Sequence, residues 1–375
     1  MKLNIVIFGL AITSSWGNGH AVTYRALAKA LGARGHAVTF LERDAPWYRE
    51  HRDLENPGYC RLELYKDLKE VPGRFNDMVA NADLVIIGSY VPDGVTLADW
   101  ITSRARGVTA FYDIDTPVTL AGLESNQVGY ISAALIPRFD LYLSFTGGPV
   151  LTLIEDLYGS PRARALYCAA DPDVHLPREL PAQWALGYLG TYSADRQPAL
   201  ERLLLEPARQ LASEHFVVAG PQYPTGIEWP ANVTRTEHLS PSEHPSFYGR
   251  QRFTLNVTRA DMISAGFSPS VRLFEAAACG VPIITDRWPG LDSIFAPGQE
   301  IIVVEAPHEV IQVLRELPEE RRLSIAAAAR RRLLLSHTPE HRAKQLEGYY
   351  REVAAPTRRR ARPSGRIRTV ELEVE

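Results

Sequence analysis

Two hydrophobic periodicities alternate along this chain. Residues 3–10 form an unbroken apolar run, as expected of a strand covered on both faces of a parallel sheet. A glycine-containing loop spans 11–20. From 21 to 33 apolar residues (Val22, Leu27, Ala30, Leu31) recur at helical spacing, with Gly35 beyond them. Further strand-like runs fall at 36–41, 84–88, 107–112 and 141–145. Residues 171–181, rich in proline and polar side chains, then break the pattern. The alternation restarts with strands predicted at 186–189, 216–219, 253–257 and 283–285, a helix at 199–211 and a last helix at 340–353. Strands alternating with helices define an α/β chain with doubly wound parallel sheets. The interruption predicts two such units, at 1–178 and 179–338, then a C-terminal helix at 339–355. The charged tail at 356–375 reads as disordered and solvated, or as a weak membrane-surface or acceptor-steering segment.

The remaining global features narrow the function classes. A length of 375 residues suits two domains, and a net charge of −3 gives no global attraction to nucleic acid or an anionic membrane. Cys60, Cys168 and Cys279 are far apart and form no zinc or redox motif, so a reduced, cytoplasmic compartment is the simplest expectation. The N-terminal apolar run is short and enters a glycine-containing loop, which reads as a first strand and not a signal peptide. No apolar run is long enough to span a bilayer.

The segment 268–286 carries the most chemistry. Ser268 can cap a helix with Pro269 at its first position, Gly280 ends it, and a short apolar strand follows. Arg272 and Glu275, three apart, share one face of that helix. A cation beside a helix N-terminus, where Ser268 and Ser270 also lie, suits a diphosphate, and the carboxylate can accept from ribose hydroxyls. A surface Arg/Glu pair on an ordinary βα unit is the plain alternative.

This run, Arg272…Glu275-Ala-Ala-Ala-Cys-Gly280-Val-Pro282, resembles the donor-site helix of GT-B glycosyltransferases, and most closely that of the CgeB-like (spore-maturation) branch of the family-4-type enzymes. Those enzymes typically carry a second glutamate eight residues upstream, where this chain has Phe267; the CgeB-like branch more often shows Arg-x-x-Glu, as here. The likeness covers most of both halves. It implies two Rossmann-like domains with parallel sheets facing a cleft, the acceptor on the first and a nucleotide-sugar donor on the second. It also implies a last helix that crosses back to the first domain. A retaining, metal-independent hexosyltransferase-like transfer follows, with a sugar nucleotide as co-substrate and no cofactor. In related enzymes a Gly-Arg…Lys pattern follows the first strand of the donor domain; here Gly190 matches the glycine, Thr191 replaces the arginine, and Arg196 falls at the lysine spacing.

Other candidates follow from position. Gly220, after the strand at 216–219, lets backbone approach the nucleoside or simply forms a tight turn. Gly17 and Gly19 lie in the loop before the first helix, without a third glycine for a dinucleotide fingerprint. His20 beside them is a candidate general base, an acceptor contact or a cap. Asp113 and Asp115 end a strand, where α/β folds place ligands, and are candidates for a base or an acceptor contact. Their Asp-x-Asp spacing is too short and common to argue for a metal, and no metal site is expected. Arg259 and Asp261 end another strand and either face the donor sugar or pair internally. A sugar-nucleotide epimerase and a non-catalytic sugar-nucleotide-binding scaffold are the rival readings.

Overall fold

The computed structural model describes residues 1–125 and 127–354, and the charged tail lies outside the described residues. Seven strands form the first sheet: β1 (Asn4–Gly9), β2 (Ala37–Arg43), β3 (Arg61–Tyr65), β4 (Leu84–Gly88), β5 (Val108–Asp113), β6 (Leu141–Ser144) and β7 (Ala163–Ala165). Six form the second: β8 (Trp184–Leu189), β9 (Phe216–Ala219), β10 (Val233–Thr236), β11 (Gln251–Asn256), β12 (Ile283–Thr285) and β13 (Ile302–Val303). All pair in parallel, in the orders β3-β2-β1-β4-β5-β6-β7 and β10-β9-β8-β11-β12-β13.

The central strands are nearly all apolar because helices cover both faces, and β4 and β9 are buried at every residue. Strand order reverses between β1 and β4 in the first sheet and between β8 and β11 in the second. Such switch points open a crevice beyond the carboxyl ends of the strands, where doubly wound folds place ligands. The loop before the first helix, Gly19–Ala33, leaves one switch point, and the loop carrying Gly190 and Arg196 leaves the other.

The last helix, Pro339–Ala354, packs on the first domain. Ala343 and Leu346 are buried, Arg342 Nε donates to the Tyr167 carbonyl at 3.0 Å, and Tyr349 Oη donates to that of Ala165 at 2.9 Å. Glu347 receives Arg34 at 2.5 and 2.9 Å and lies 3.0 Å from His36 Nε2. The hydrogen bonds from Arg34, then that from His36, outweigh burial and hold Glu347 down at about 2, against an ordinary 4.5. A depressed folded-state pKa contributes stability that is complete above the unfolded value and fades as pH falls through the folded one. The contribution of Glu347 should therefore disappear between about pH 4.5 and about pH 2. Glu347→Ala should cost roughly 1–3 kcal/mol at neutral pH, less than a fully buried pair because Arg34 is part-exposed, as read by chemical denaturation.

Candidate active site

A cavity of about 220 Å³ lies between the domains, lined by Gly17, Asn18 and Gly19 on one wall and by Gly190, Thr191, Arg196, Gly220, Arg272 and Glu275 on the other. A larger space of about 1100 Å³ opens beyond β12 and β13, beside Asp286 and Trp288. The smaller one is the better candidate, because two arginines, a helix end and both switch points converge there.

The helix that carries Arg272 and Glu275 runs Val271–Ala278, two residues later than the Ser268 cap predicts. Ser270 is the N-cap position, yet its hydroxyl donates to Asn256 Oδ1 at 2.9 Å instead of capping. Ser268 is fully buried and is not a phosphate ligand. Its hydroxyl lies 2.8 Å from that of Thr146 in the first domain and also donates to the Gly266 carbonyl. Phe267 takes a left-handed φ of 47° and wedges its ring against Gly148 and Gly290, where any Cβ would collide with it. Phe267 and Ser268 thus act in the interdomain contact, which Gly147 N–H extends by donating to the Phe267 carbonyl at 2.9 Å.

Arg272 is 7 % exposed, stacks its guanidinium 4.7 Å from the centre of the Tyr188 ring, and donates to the Leu189 carbonyl and, at 3.0 Å, to Asn256 Oδ1. Gly190 leaves the room this requires: a Cβ there would sit 2.6 Å from Arg272 Nη2. Arg196 donates to the Thr191 carbonyl at 2.6 Å, while its Nε is buried without a partner. Burial lowers the Arg196 pKa; Tyr188 opposes this, and nearby Arg272 and Arg259 add to it. Among the described residues neither Arg196 nor Arg272 hydrogen-bonds a carboxylate. Two adjacent guanidiniums, neither hydrogen-bonded to a carboxylate, have the chemistry to receive an anion.

Glu275 shares the helix but turns its carboxylate toward His244, His175 and Tyr248. Burial alone would raise its pKa; His244, then His175 and Arg272, outweigh it and hold the group well below the carboxylate range. Gly220 has a φ of 143°, and a Cβ there would lie 2.0 Å from the Gly190 carbonyl oxygen, so glycine is required by backbone packing beside the cavity. Arg259 lies 3.5 Å from Asp195 and 4.0 Å from Asp115 of the first domain. Asp261 is exposed in the first turn of the helix Ala260–Ala265 and lines neither cavity.

On the first domain, Gly17 takes a left-handed φ of 58°, Gly19 opens the helix, and the Asn18 side chain accepts from His20 N–H at 3.0 Å. Asn18 is therefore the cap, and the His20 ring is left for other work, with a buried and unpartnered Nδ1. Burial lowers the His20 pKa, against the pull of Asp115. Tyr90 meets the His20 ring edge-on at 5.5 Å and donates to Asp115 Oδ2 at 3.1 Å. Tyr90 has a strained φ of 61°. Sequence reasoning did not single it out, although its place just beyond β4 at the switch point was a usable signal.

Asp113 has a different role from Asp115. It is fully buried and accepts from Tyr142 Oη at 2.6 Å, Thr119 Oγ1 at 2.8 Å and Asp115 N–H at 3.1 Å. It shapes the loop and does not reach the cleft. Burial pushes it up to about 6 from an ordinary 3.8 despite those bonds. A raised folded-state value costs stability as pH climbs through it. Relative to Asp113→Asn, the parent chain should lose roughly 2–3 kcal/mol between about pH 4 and about pH 6, visible in paired denaturation curves.

Residues 196–348 match the family described as glycosyl transferase-like. No curated protein matches the chain in sequence. Solved structures match nearly its whole length. Sucrose-phosphate synthase from Thermosynechococcus elongatus is 14% identical with a TM-score of 0.66, covering 93% of this chain and 99% of its own. HepE from Anabaena, in complex with UDP and glucose, is 11% identical with a TM-score of 0.68, covering 92% and 98%. An α-glucosyltransferase in complex with UDP-glucose and DNA containing an abasic site is 13% identical with a TM-score of 0.71, covering 93% and 100%. The fold is GT-B, and its second domain carries the glycosyl transferase-like segment. Among the described residues no helix is long and apolar enough to cross a membrane.

Proposed function

We propose that this chain is a glycosyltransferase that moves a sugar from a nucleotide diphosphate to an acceptor held on the first domain. The observation that carries this reading is the pair Arg196 and Arg272, together on one wall of the interdomain cavity, with no carboxylate hydrogen-bonded to either among the described residues. Breaking the bond between the sugar anomeric carbon and the phosphate oxygen leaves negative charge on the diphosphate. Donors already fixed around that charge lower the barrier. Tyr188, Asn256 and the Leu189 carbonyl fix Arg272 in advance, and the Thr191 carbonyl fixes Arg196. The leaving group therefore needs no added magnesium or manganese.

The nucleoside extends past Gly220 toward His244 and Glu275 on the same wall. His20, Tyr90 and Asp115 hold the acceptor hydroxyl. Retention of configuration is the outcome the family-4 likeness favours: the acceptor oxygen bonds to the anomeric carbon as the phosphate leaves, and the phosphate takes the acceptor proton. The CgeB-like branch and a cytoplasmic setting belong to this same reading.

Incubating the purified chain with a panel of nucleotide sugars and pooled saccharide, peptide and small-molecule acceptors, followed by mass spectrometry, tests it. The expected result is a product heavier by one sugar, without added divalent metal. Donor isomerised without acceptor would make the chain an epimerase. Donor bound but never consumed would make it a scaffold.

A further inference from the structure

Beneath the nucleoside end of the cavity, three buried side chains converge from separate parts of the chain. His175 lies in the proline-rich connection, His244 opens the helix His244–Gly249, and Glu275 lies on Val271–Ala278. His175 Nε2 is 3.7 Å from Glu275 Oε1, and His244 Nδ1 is 3.6 Å from Oε2. The three donor atoms all fall within 4.8 Å of one another. These separations exceed hydrogen-bonding distance. His175 is 1 % exposed, yet neither ring nitrogen has a partner, and His244 Nδ1 is likewise unpartnered. Among the described residues, the hydrogen bond that the Glu275 carboxylate accepts is a long one, 3.4 Å from Tyr248 Oη.

Leaving an enclosed imidazole unsatisfied is costly. A direct ion pair would draw the groups to about 2.7–2.9 Å. Ligands around a tetrahedral zinc, each about 2.0–2.2 Å from it, stand about 3.3–3.5 Å apart. The observed carboxylate–imidazole separations, each to a different Glu275 oxygen, lie a few tenths of an ångström beyond that range, and the widest of the three lies within 4.8 Å, so the side chains close in when an ion binds. We infer that His175, His244 and Glu275 hold a divalent transition-metal ion of the zinc type. Two imidazoles and a carboxylate suit such an ion, whereas magnesium and calcium prefer all-oxygen ligand sets. The ion ties the connection between the domains to the donor-side helix, and water fills the coordination that the protein leaves open.

This cluster lies outside the reach of the local spacing on which the sequence expectation of no metal site rested. It concerns a different place from the Asp113–Asp115 pair and does not depend on the donor reading.

The test uses full-length protein without a polyhistidine tag, stripped with chelator and titrated with zinc. Elemental analysis should give one zinc per chain, and the thermal midpoint should rise by at least about 3 °C at saturating metal. Cobalt in place of zinc should give the visible absorption of a low-symmetry nitrogen–oxygen site. His175→Gln and Glu275→Gln should each weaken zinc binding by at least about tenfold, as loss of one ligand predicts. The cobalt spectrum of the parent chain decides the matter if the variants fail to fold. Parent protein that retains no stoichiometric zinc and shows no shift in midpoint overturns the proposal, as does binding that survives both substitutions. Calorimetry with UDP on the metal-free and metal-loaded forms reports on the donor reading separately.

Discussion

Arg272→Ala should lower kcat/KM for sugar transfer by about 100- to 1000-fold, the usual effect of removing one preorganised donor from developing charge. Arg272 meets the conditions for an effect that large. It is almost fully buried, fixed by Tyr188 and Asn256, and aimed into the cavity beside Gly190. Arg196→Ala should act in the same direction, and the double variant should fall short of the summed losses because the two guanidiniums share one anion. Lysine should rescue Arg272 poorly, since a point charge cannot stack on Tyr188 while also bonding Asn256. Steady-state kinetics with calorimetry of UDP binding separates a loss of ground-state affinity from a loss confined to the transition state. Unchanged kinetics in a folded Arg272→Ala chain would remove the phosphate assignment.

His20→Ala is the second large effect. His20 follows Gly17, Asn18 and Gly19, which line the cavity opposite the arginines; its ring lies next to Tyr90, and its Nδ1 is buried without a hydrogen-bond partner. Its loss should cut transfer by about 100-fold or more while UDP affinity stays within about twofold. Because Asn18 caps the helix, the substitution leaves the cap intact and the fold stable. Asp115→Asn should show the same pattern more weakly, since Tyr90 can still donate to the amide oxygen. A His20→Ala protein with parental transfer rates would reduce His20 to a packing residue.

Much of the fold was legible because both sheets are parallel and their central strands are buried on two faces. β4, β9 and β12 coincide with apolar runs that only a covered strand would carry. The edge strands β3 and β10 escaped notice because they are partly exposed, and Arg61, Glu63 and Arg235 interrupt them. Within the site, the Arg272–Glu275 face and the Arg196 spacing could be read locally. Ser268 was misplaced because a serine before a proline resembles a helix cap, whereas tertiary packing seats it against Thr146. Asp113 and Asp115 look equivalent in sequence. Only the fold shows one enclosed by Tyr142 and Thr119 and the other turned to Tyr90 across from Arg259. The meeting of His175, His244 and Glu275 leaves no local pattern, since three separate elements supply it.

The central claim is that the interdomain cavity holds a nucleoside diphosphate on Arg196 and Arg272. Isothermal titration of the purified chain with UDP, and with uridine as the control, tests it most directly. With UDP as the probe, one nucleotide per chain is expected, bound at least about tenfold more tightly than uridine and weakened at least about tenfold by Arg272→Ala, as a charge-assisted phosphate contact implies. UDP binding no tighter than uridine, or unaffected by Arg272→Ala, would contradict it.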